Sequence, residues 1–222
     1  MHILAISAHP DDETLGAAGT LLSHAAQGAT LHWLIGTEAH EPQWSRETIA
    51  RKAAEVERVA QAYPMKSVHK LRQPTTKLDR VELNVLIDGV RRVIEEVRPE
   101  IVYLVHAGDV HTDHHAMFTA TMTVLKAFYM RKWGVRRVLS FETLSSTDAA
   151  PPQFHRAFIP TVYHDISAQL EKKIQVMDLF ASEAQPDPFP RGPAAMRALA
   201  RYRGATIGVD YAEAFMLIRE VN

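Results

Sequence analysis

The chain opens with Ile3-Leu4-Ala5-Ile6-Ser7-Ala8-His9-Pro10-Asp11-Asp12-Glu13, an apolar run followed at once by a cluster of ionisable side chains. About 100 residues later, Ile101-Val102-Tyr103-Leu104-Val105 is followed by His111-Thr112-Asp113-His114-His115. Short, continuous apolar runs of this kind are typical of strands buried inside a parallel sheet. We therefore expect two buried strands, each ending in side chains that bind metals and move protons.

Strand-like and helix-like patterns alternate outward from these runs as far as residue 145. Ser45 is a typical helix cap, and Pro64 and Pro99 are typical of positions beyond a helix end. Strands are predicted over 2–7, 30–36, 66–71, 101–105 and 137–143, and helices over 14–27, 45–63, 80–98 and 114–131. This alternation predicts an α/β fold, a Rossmann-like three-layer domain with a mostly parallel sheet and helices on both faces.

The last third of the chain has a different character, because seven of the twelve prolines lie beyond residue 150. Asp165-Ile166-Ser167 precedes a predicted helix over 168–181, and Pro193 is typical of the first position of another. The segment 211–219 is compatible with a helix or a strand. We predict one domain over 1–222, in which residues 1–145 form the Rossmann-like core and residues 146–222 form a cap over the sheet edge together with the C-terminal elements.

The composition excludes several classes of function. Hydrophobic residues make up 46% and charged residues 23% of the 222 positions, as in ordinary soluble domains. A net charge of -1 gives no basic excess that would predict nucleic-acid binding. The absence of cysteine excludes thiolate ligands and a cysteine nucleophile. No apolar run approaches the ~20 residues of a membrane span, and the first residues lack a signal-peptide pattern. We expect a cytoplasmic enzyme for a small molecule; a homo-oligomer is compatible with the sequence but is not specified by it.

The two polar clusters together contain a full set of metal ligands. In open parallel sheets, ligands bind beyond the carboxyl ends of the strands, where both clusters are predicted to lie. His9 and Asp12 are three residues apart on a turn that Pro10 stiffens, and His114 comes from the other strand end. Two histidines and one carboxylate with an open position suit a catalytic zinc, which lowers the pKa of a bound water toward ~7.

Three further side chains are candidates for the chemistry around such a metal. Asp11, beside a ligand, is predicted to take a proton from water and hand it to a leaving amine. His111, if protonated, would face a developing oxyanion. Asp113 is predicted to orient the His111 imidazole and favour its charged form.

These same residues resemble the signatures of the PIG-L/LmbE-like family of zinc-dependent N-deacetylases. The family patterns stand here as Ala8-His9-Pro10-Asp11-Asp12-Glu13 and His111-Thr112-Asp113-His114. Weaker similarity extends over Phe141-Glu142, Asp165-Ile166-Ser167 and Tyr211-Ala212-Glu213-Ala214-Phe215. The resemblance implies removal of an N-acetyl group from an amino sugar or its conjugate, with zinc or another divalent metal. It implies that His9, Asp12 and His114 are the zinc ligands and that Asp11 is the general base. It also implies that His111 is the electrostatic partner, oriented by Asp113.

The chain departs from the family pattern on the side where the substrate is expected. Family members often carry an Arg-x-x-Glu pair where this chain has Lys52-Ala53-Ala54-Glu55, and lysine lacks the bidentate fork of arginine. Arg191, in the presumed cap, is a candidate for contacting a phosphate or carboxylate, although an arginine at such a position is more often an ordinary surface residue. Lys52, Arg191 and Arg203 are therefore the candidate substrate contacts, and the identity of the sugar and its attachment stays open.

Other classes of protein share parts of this pattern. Two histidines and a carboxylate also form the facial triad of non-haem Fe(II) enzymes, although these usually have β-rich scaffolds. A sugar- or nucleotide-binding module with an inactive site would lack a ligand or base, and none is missing here. A dinucleotide enzyme would carry Gly-x-Gly-x-x-Gly in its first turn, where this chain has only Gly16 and Gly19.

Overall fold

The computed structural model describes all 222 residues and has an alternating α/β architecture. The strands are β1 (His2–Ser7), β2 (Thr30–Glu38), β3 (Ser67–Pro74), β4 (Ile101–Val105), β5 (Arg137–Phe141), β6 (Val162–Asp165) and β7 (Ala212–Glu220). The helices are α1 (Asp12–Ala26), α2 (Arg46–Ala62), α3 (Leu83–Val97), α4 (Thr112–Val124), α5 (Ala127–Trp133), α6 (Leu170–Met177) and α7 (Pro193–Ile207). Short 3₁₀ turns lie at Leu78–Arg80 and Phe154–Arg156.

All seven strands form one sheet in the order β3-β2-β1-β4-β5-β7-β6. The first five are parallel, and β7 and β6 pair antiparallel with their neighbours. The chain winds outward from β1 to β3 and then returns to the other side of β1 at β4, in register from Ile3 with Ile101 to Ile6 with Leu104. The order of strands therefore reverses between β1 and β4, which brings their carboxyl ends together as the sequence predicted.

Local sequence accounts for most of these elements. The side-chain oxygen of Ser45 accepts a hydrogen bond from the Thr48 N–H and so caps α2 as predicted. Helix α3 ends where Arg98 adopts a left-handed backbone directly before Pro99. Pro193 occupies the first turn of α7, where its missing N–H has no helical partner to lose. The predicted mixture of parallel strands and covering helices is confirmed.

Two features of the later chain differ from the sequence prediction. The helix expected over 114–131 is two helices, separated by the buried Leu125 and by Lys126. Residues 146–222 do more than cap the sheet edge. They supply β6 and β7, and Ile166, Leu170 and Phe215 join the core of residues from the first part of the chain. No helix combines the length and apolarity needed to cross a membrane.

A buried ion pair ties the last strand to the first helix. Lys173 Nζ donates to Glu213 Oε1 at 2.7 Å and to the Leu15 carbonyl at 2.8 Å. The Glu213 carboxylate also accepts from the backbone N–H groups of Gly19 and Thr20, at 2.9 and 2.8 Å. This arrangement gives a structural role to the Tyr-Ala-Glu-Ala-Phe block, whose glutamate joins α1, α6 and β7.

Replacing Lys173 with methionine is expected to lower the free energy of unfolding by about 3–5 kcal/mol, because it leaves the Glu213 charge buried without its cation. Equilibrium urea unfolding measures the effect. Lys172→Met is the matched control, since the neighbouring Lys172 is exposed. Equal unfolding midpoints and slopes for the two variants would show that the pair adds nothing to stability.

Candidate metal and active site

The two predicted clusters meet at the carboxyl edge of the sheet. The Ala8-His9-Pro10 turn leads from β1 into α1, and His111 caps α4 after the loop that follows β4. Both segments line a cavity of about 460 Å³. The six predicted catalytic and metal-binding residues lie together there or directly behind its wall: His9, Asp11, Asp12, His111, Asp113 and His114.

His9, Asp12 and His114 bring two ring nitrogens and one carboxylate group close enough together to hold one metal ion. His9 Nδ1 lies 3.3 Å from His114 Nε2, which lies 3.2 Å from Asp12 Oδ1. His9 Nδ1 and Asp12 Oδ2 are 3.7 Å apart. Tetrahedral zinc with bonds of about 2.0–2.2 Å separates its ligand atoms by roughly 3.3–3.6 Å. Ring nitrogens of His9, His111 and His114 also lie within 4.8 Å of one another, so His111 is a further side chain within reach of the same ion.

The backbone of the first turn fixes the Asp12 carboxylate. Asp12 Oδ2 accepts hydrogen bonds from the N–H groups of Ala8 and His9, at 2.9 and 2.8 Å. This leaves Oδ1, the oxygen beside His114, to bind a metal through one atom. The sequence folds this way because the helix begins at Asp12, so that the preceding N–H groups point back at its side chain.

Each histidine of the triad is oriented by a second carboxylate. His9 Nε2 lies 3.0 Å from Asp113 Oδ2, and His114 Nδ1 lies 2.9 Å from Asp109 Oδ2. The prediction that Asp113 orients His111 is therefore corrected: its carboxylate contacts His9 and accepts backbone N–H groups of Thr76 and Leu78, at 2.7 and 3.0 Å. Carboxylate–histidine contacts of this kind fix which ring nitrogen faces a metal.

The electrostatics of the triad favour a cation. Burial tends to lower the pKa of His9, but hydrogen bonds to Asp113 and Asp12 outweigh it and raise that pKa to about 9. Burial is likewise outweighed for His114, whose pKa rises to about 10 because of Asp12 and Asp109. Neighbouring carboxylates thus raise the pKa of both imidazoles, and the same negative charge favours a bound metal cation.

His111 occupies a different position from the other two histidines. Its Nδ1 accepts a hydrogen bond from the backbone N–H of Asp113 at 3.2 Å, which leaves the proton of a neutral ring on Nε2. Burial and the nearby imidazoles of His9 and His114 lower the pKa of His111 to about 4. The hydrogen bond from the Asp113 N–H favours a neutral His111 imidazole that donates through Nε2–H, in contrast to the protonated ring expected from the sequence.

Asp11 lines the cavity beside the triad without contacting His111 or His9 through a hydrogen bond. Its Oδ2 accepts from Arg191 Nη1 at 3.0 Å. Burial and the carboxylates of Asp12 and Glu183 raise the pKa of Asp11 to about 6, against the opposing effect of His9 and Arg191. A carboxyl group with such a pKa exchanges protons readily near neutrality.

Of the three predicted substrate contacts, the structure places two in the cavity and one outside it. Lys52 and Arg191 line the cavity, and both are paired with Glu183. Arg203 lies outside it, because its guanidinium forms a bidentate pair with Glu142 at 2.8 and 2.7 Å. The proposal of Arg203 as a substrate contact is thus corrected: it ties α7 to the end of β5.

Sequence reasoning missed three residues around the site. Asp109 belongs to the polar segment after β4, so its place five residues before His114 was a usable signal. Thr147 Oγ1 donates to the same Asp109 oxygen at 3.0 Å. No feature of the sequence pointed to Glu183 as a site residue, since it lies beside a proline-rich stretch and 131 residues from its partner Lys52.

Fold and site together define a Rossmann-like α/β protein whose carboxyl edge brings together histidines and carboxylates that could hold a metal ion. The chain belongs to the PIG-L family, whose model, described as GlcNAc-PI de-N-acetylase, matches residues 4–125. The resemblance found in the two sequence motifs is thereby confirmed.

Two relatives are named as deacetylases. The chain is 22% identical to a probable N-acetyl-alpha-D-glucosaminyl L-malate deacetylase 2 of Bacillus anthracis, over 82% of this chain and 81% of the relative. It is 26% identical to the diacetylchitobiose deacetylase of Thermococcus kodakarensis, over 97% of this chain and 82% of the relative.

Solved structures confirm the fold. The conserved protein TT1542 from Thermus thermophilus superposes with a TM-score of 0.78 at 24% identity, covering 99% of this chain and 96% of that one. GalB, the 4-carboxy-2-hydroxymuconate hydratase of Pseudomonas putida, gives 0.71 at 19% identity, covering 100% and 97%. The fold therefore accommodates more than one reaction, and the reaction must be argued from the site.

Proposed function

We propose that this protein is a metal-dependent hydrolase that removes the acetyl group from an N-acetylated amino sugar or amino-sugar conjugate. The observation that carries the proposal is the close approach of His9, Asp12 and His114, whose ring nitrogens and carboxylate oxygens lie 3.2–3.7 Å apart beside the carboxylate of Asp11. Membership of the PIG-L family and the names of the deacetylase relatives support the same reaction.

The donor set fits zinc. His9 Nδ1, His114 Nε2 and Asp12 Oδ1 supply two imidazoles and one carboxylate, the ligand types of catalytic zinc sites that keep a fourth position open. Asp113 and Asp109 hold the two rings in the orientation that such a metal needs. When bound, zinc supplies a Lewis acid that polarises the amide carbonyl and lowers the pKa of water toward ~7.

The chain's own residues supply the proton transfers and the charge stabilisation. Asp11 takes a proton from the attacking water at Oδ1, which no protein group occupies, and returns it to the departing nitrogen. His111 donates its Nε2–H to the oxygen on which negative charge develops. The amide C–N bond breaks as a C–O bond forms, so that one water converts the acetamide to a free amine and acetate.

The names of the relatives and the size of the cavity support a proposal for the substrate class. The two deacetylase names share an N-acetylated glucosamine unit, joined to L-malate in one and to a second sugar in the other. A cavity of about 460 Å³ is within the usual range for small-molecule sites. We propose an N-acetylglucosamine unit as the part that enters the site.

Metal content and acetate release, measured together on the purified protein, test this proposal. We expect about one zinc per chain and acetate release from at least one member of a panel of N-acetylglucosamine conjugates, lost with chelator and restored by zinc. Activity under anaerobic conditions separates hydrolysis from an Fe(II)-dependent oxygenation. Metal binding without acetate release from any conjugate would favour a different reaction of the fold, such as hydration.

A further inference from the structure

The Asp11 carboxylate depends on a single side chain for its orientation. Arg191 Nη1 donates to Oδ2 at 3.0 Å, and no other protein group hydrogen-bonds to either carboxylate oxygen. The side chain is only 7% exposed. Most buried polar side-chain atoms have at least one hydrogen-bond partner. Here Oδ1 has none in the protein, and Arg191 supplies the only hydrogen bond that orients the carboxylate.

Arg191 is in turn fixed by a second carboxylate. The same Nη1 atom donates to Glu183 Oε2 at 2.9 Å, while the buried Nε finds no acceptor. The position of the guanidinium is therefore set by Asp11 and Glu183 together. Arg191 lies in the loop before α7, far along the chain from the first turn that it contacts.

Helix α2 holds Glu183 in place. Lys52 Nζ donates to Glu183 Oε1 and, at 3.1 Å, to Ser182 Oγ. Ser182 Oγ donates to the buried Glu55 at 2.8 Å. Lys52 and Glu55 of α2 thus hold the loop that carries Glu183 through hydrogen bonds. Lys52, Glu183, Arg191 and Asp11 form a chain of ion pairs in which positive and negative side chains alternate.

We propose that Arg191 is a positioning residue for the deacetylation, which holds Asp11 Oδ2 so that Oδ1 is free to take the proton, and that Glu183 acts through Arg191. The inference rests on the proposed function, because it requires Asp11 to be the group that moves the proton. It differs from the sequence expectation that Arg191 meets an anionic group of the substrate, since both carboxylates that it meets belong to the chain.

Steady-state kinetics of Arg191→Ala test the role. We expect kcat to fall about 10- to 100-fold with KM and metal content close to wild type, because a misplaced catalytic group slows the reaction step itself. Added guanidinium chloride at millimolar concentration is expected to restore part of kcat by filling the vacated position. Arg191→Lys should retain more activity than Arg191→Ala, since it keeps the charge but loses the fork.

Arg197→Ala is the matched control, because Arg197 lies in α7 and pairs with the exposed Glu171 on the surface. It should keep wild-type kcat and show no response to guanidinium. Glu183→Gln should lower kcat in the wild-type background and have little further effect in Arg191→Ala, which a double-mutant cycle measures. Additive losses would contradict the claim that Glu183 acts through Arg191.

A second readout does not depend on turnover. Carbodiimide with an amine nucleophile labels free carboxyl groups, and mass spectrometry of the peptide that contains Asp11 measures the rate at that residue. Arg191→Ala should speed labelling of Asp11, and Arg197→Ala should not. Unchanged labelling with wild-type kcat, or a loss confined to KM, would overturn the proposal. If Arg191→Ala speeds labelling of Asp11 but the wild-type protein releases no acetate from any conjugate, the contact between Arg191 and Asp11 would be supported and the deacetylase reaction would be rejected.

Discussion

Asp11→Asn is expected to lower kcat for acetate release about 10²- to 10⁴-fold while the protein keeps its full complement of metal. The side chain of asparagine has nearly the shape of aspartate and still offers an oxygen to Arg191, but it cannot accept the proton of an attacking water. A positioned general base contributes about this factor to a reaction rate. Metal retention is expected because Asp11 is not among the three triad side chains.

The measurement pairs kcat with metal content for Asp11→Asn, Asp11→Ala and the control Asp88→Ala, whose side chain is exposed on α3 and pairs with Arg91. Both Asp11 variants should be slow, and the control should match wild type. An Asp11→Asn protein as fast as wild type would remove Asp11 from the proton transfer. Loss of metal in that variant would mean that Asp11 serves the metal centre and not the proton.

The sequence defines the part of the fold on which the site depends. β1 and β4 match their predicted ranges, 2–7 and 101–105, because a strand buried on both faces is a continuous apolar run. Their adjacency followed from the alternation of strands and helices, which places a ligand site where strand order reverses. For this reason His9, Asp12 and His114 could be grouped although about 100 residues separate the two segments.

The elements that were not predicted depend on contacts distant in the chain. No glycine or proline marks the break between α4 and α5 at Leu125, whose side chain is buried in the core. The segment around Phe215 was compatible with helix or strand, and it is a strand because β5 and β6 pair with it on both sides. Pairing of this kind outweighs local propensity.

Within the site, residue types were predictable and partners were not. The carboxylate of Asp113 contacts His9 and not its neighbour His111, because the helical turn directs the two side chains differently. The pairing of Arg191 with Asp11 spans 180 residues and reflects the loop before α7, which has no periodic pattern to read. Partners of this kind are visible only once the chain is folded.

Removal of a triad side chain should abolish both metal binding and activity. His114→Ala is expected to leave substoichiometric zinc after dialysis and no acetate release above background, because only two of three ligands remain in the site. The same change leaves Asp109 buried without its histidine, so some loss of stability is also expected. Metal analysis, acetate assays and thermal melting on the same samples separate these effects.

Asp109→Asn supplies the graded test of the same centre. It keeps all three ligands but replaces the charge behind His114 with a neutral amide, and such changes typically weaken metal binding about 10- to 100-fold. Competition with a chelator of known affinity measures the change, and His155→Ala, at an exposed histidine outside the cavity, is the control. Activity of Asp109→Asn should return at high zinc, whereas His114→Ala should stay inactive, because only the first retains the complete triad. If Asp109→Asn and His114→Ala both bound zinc as tightly as wild type, the metal would have to bind elsewhere. The two histidine motifs would then serve only as helix caps and turns.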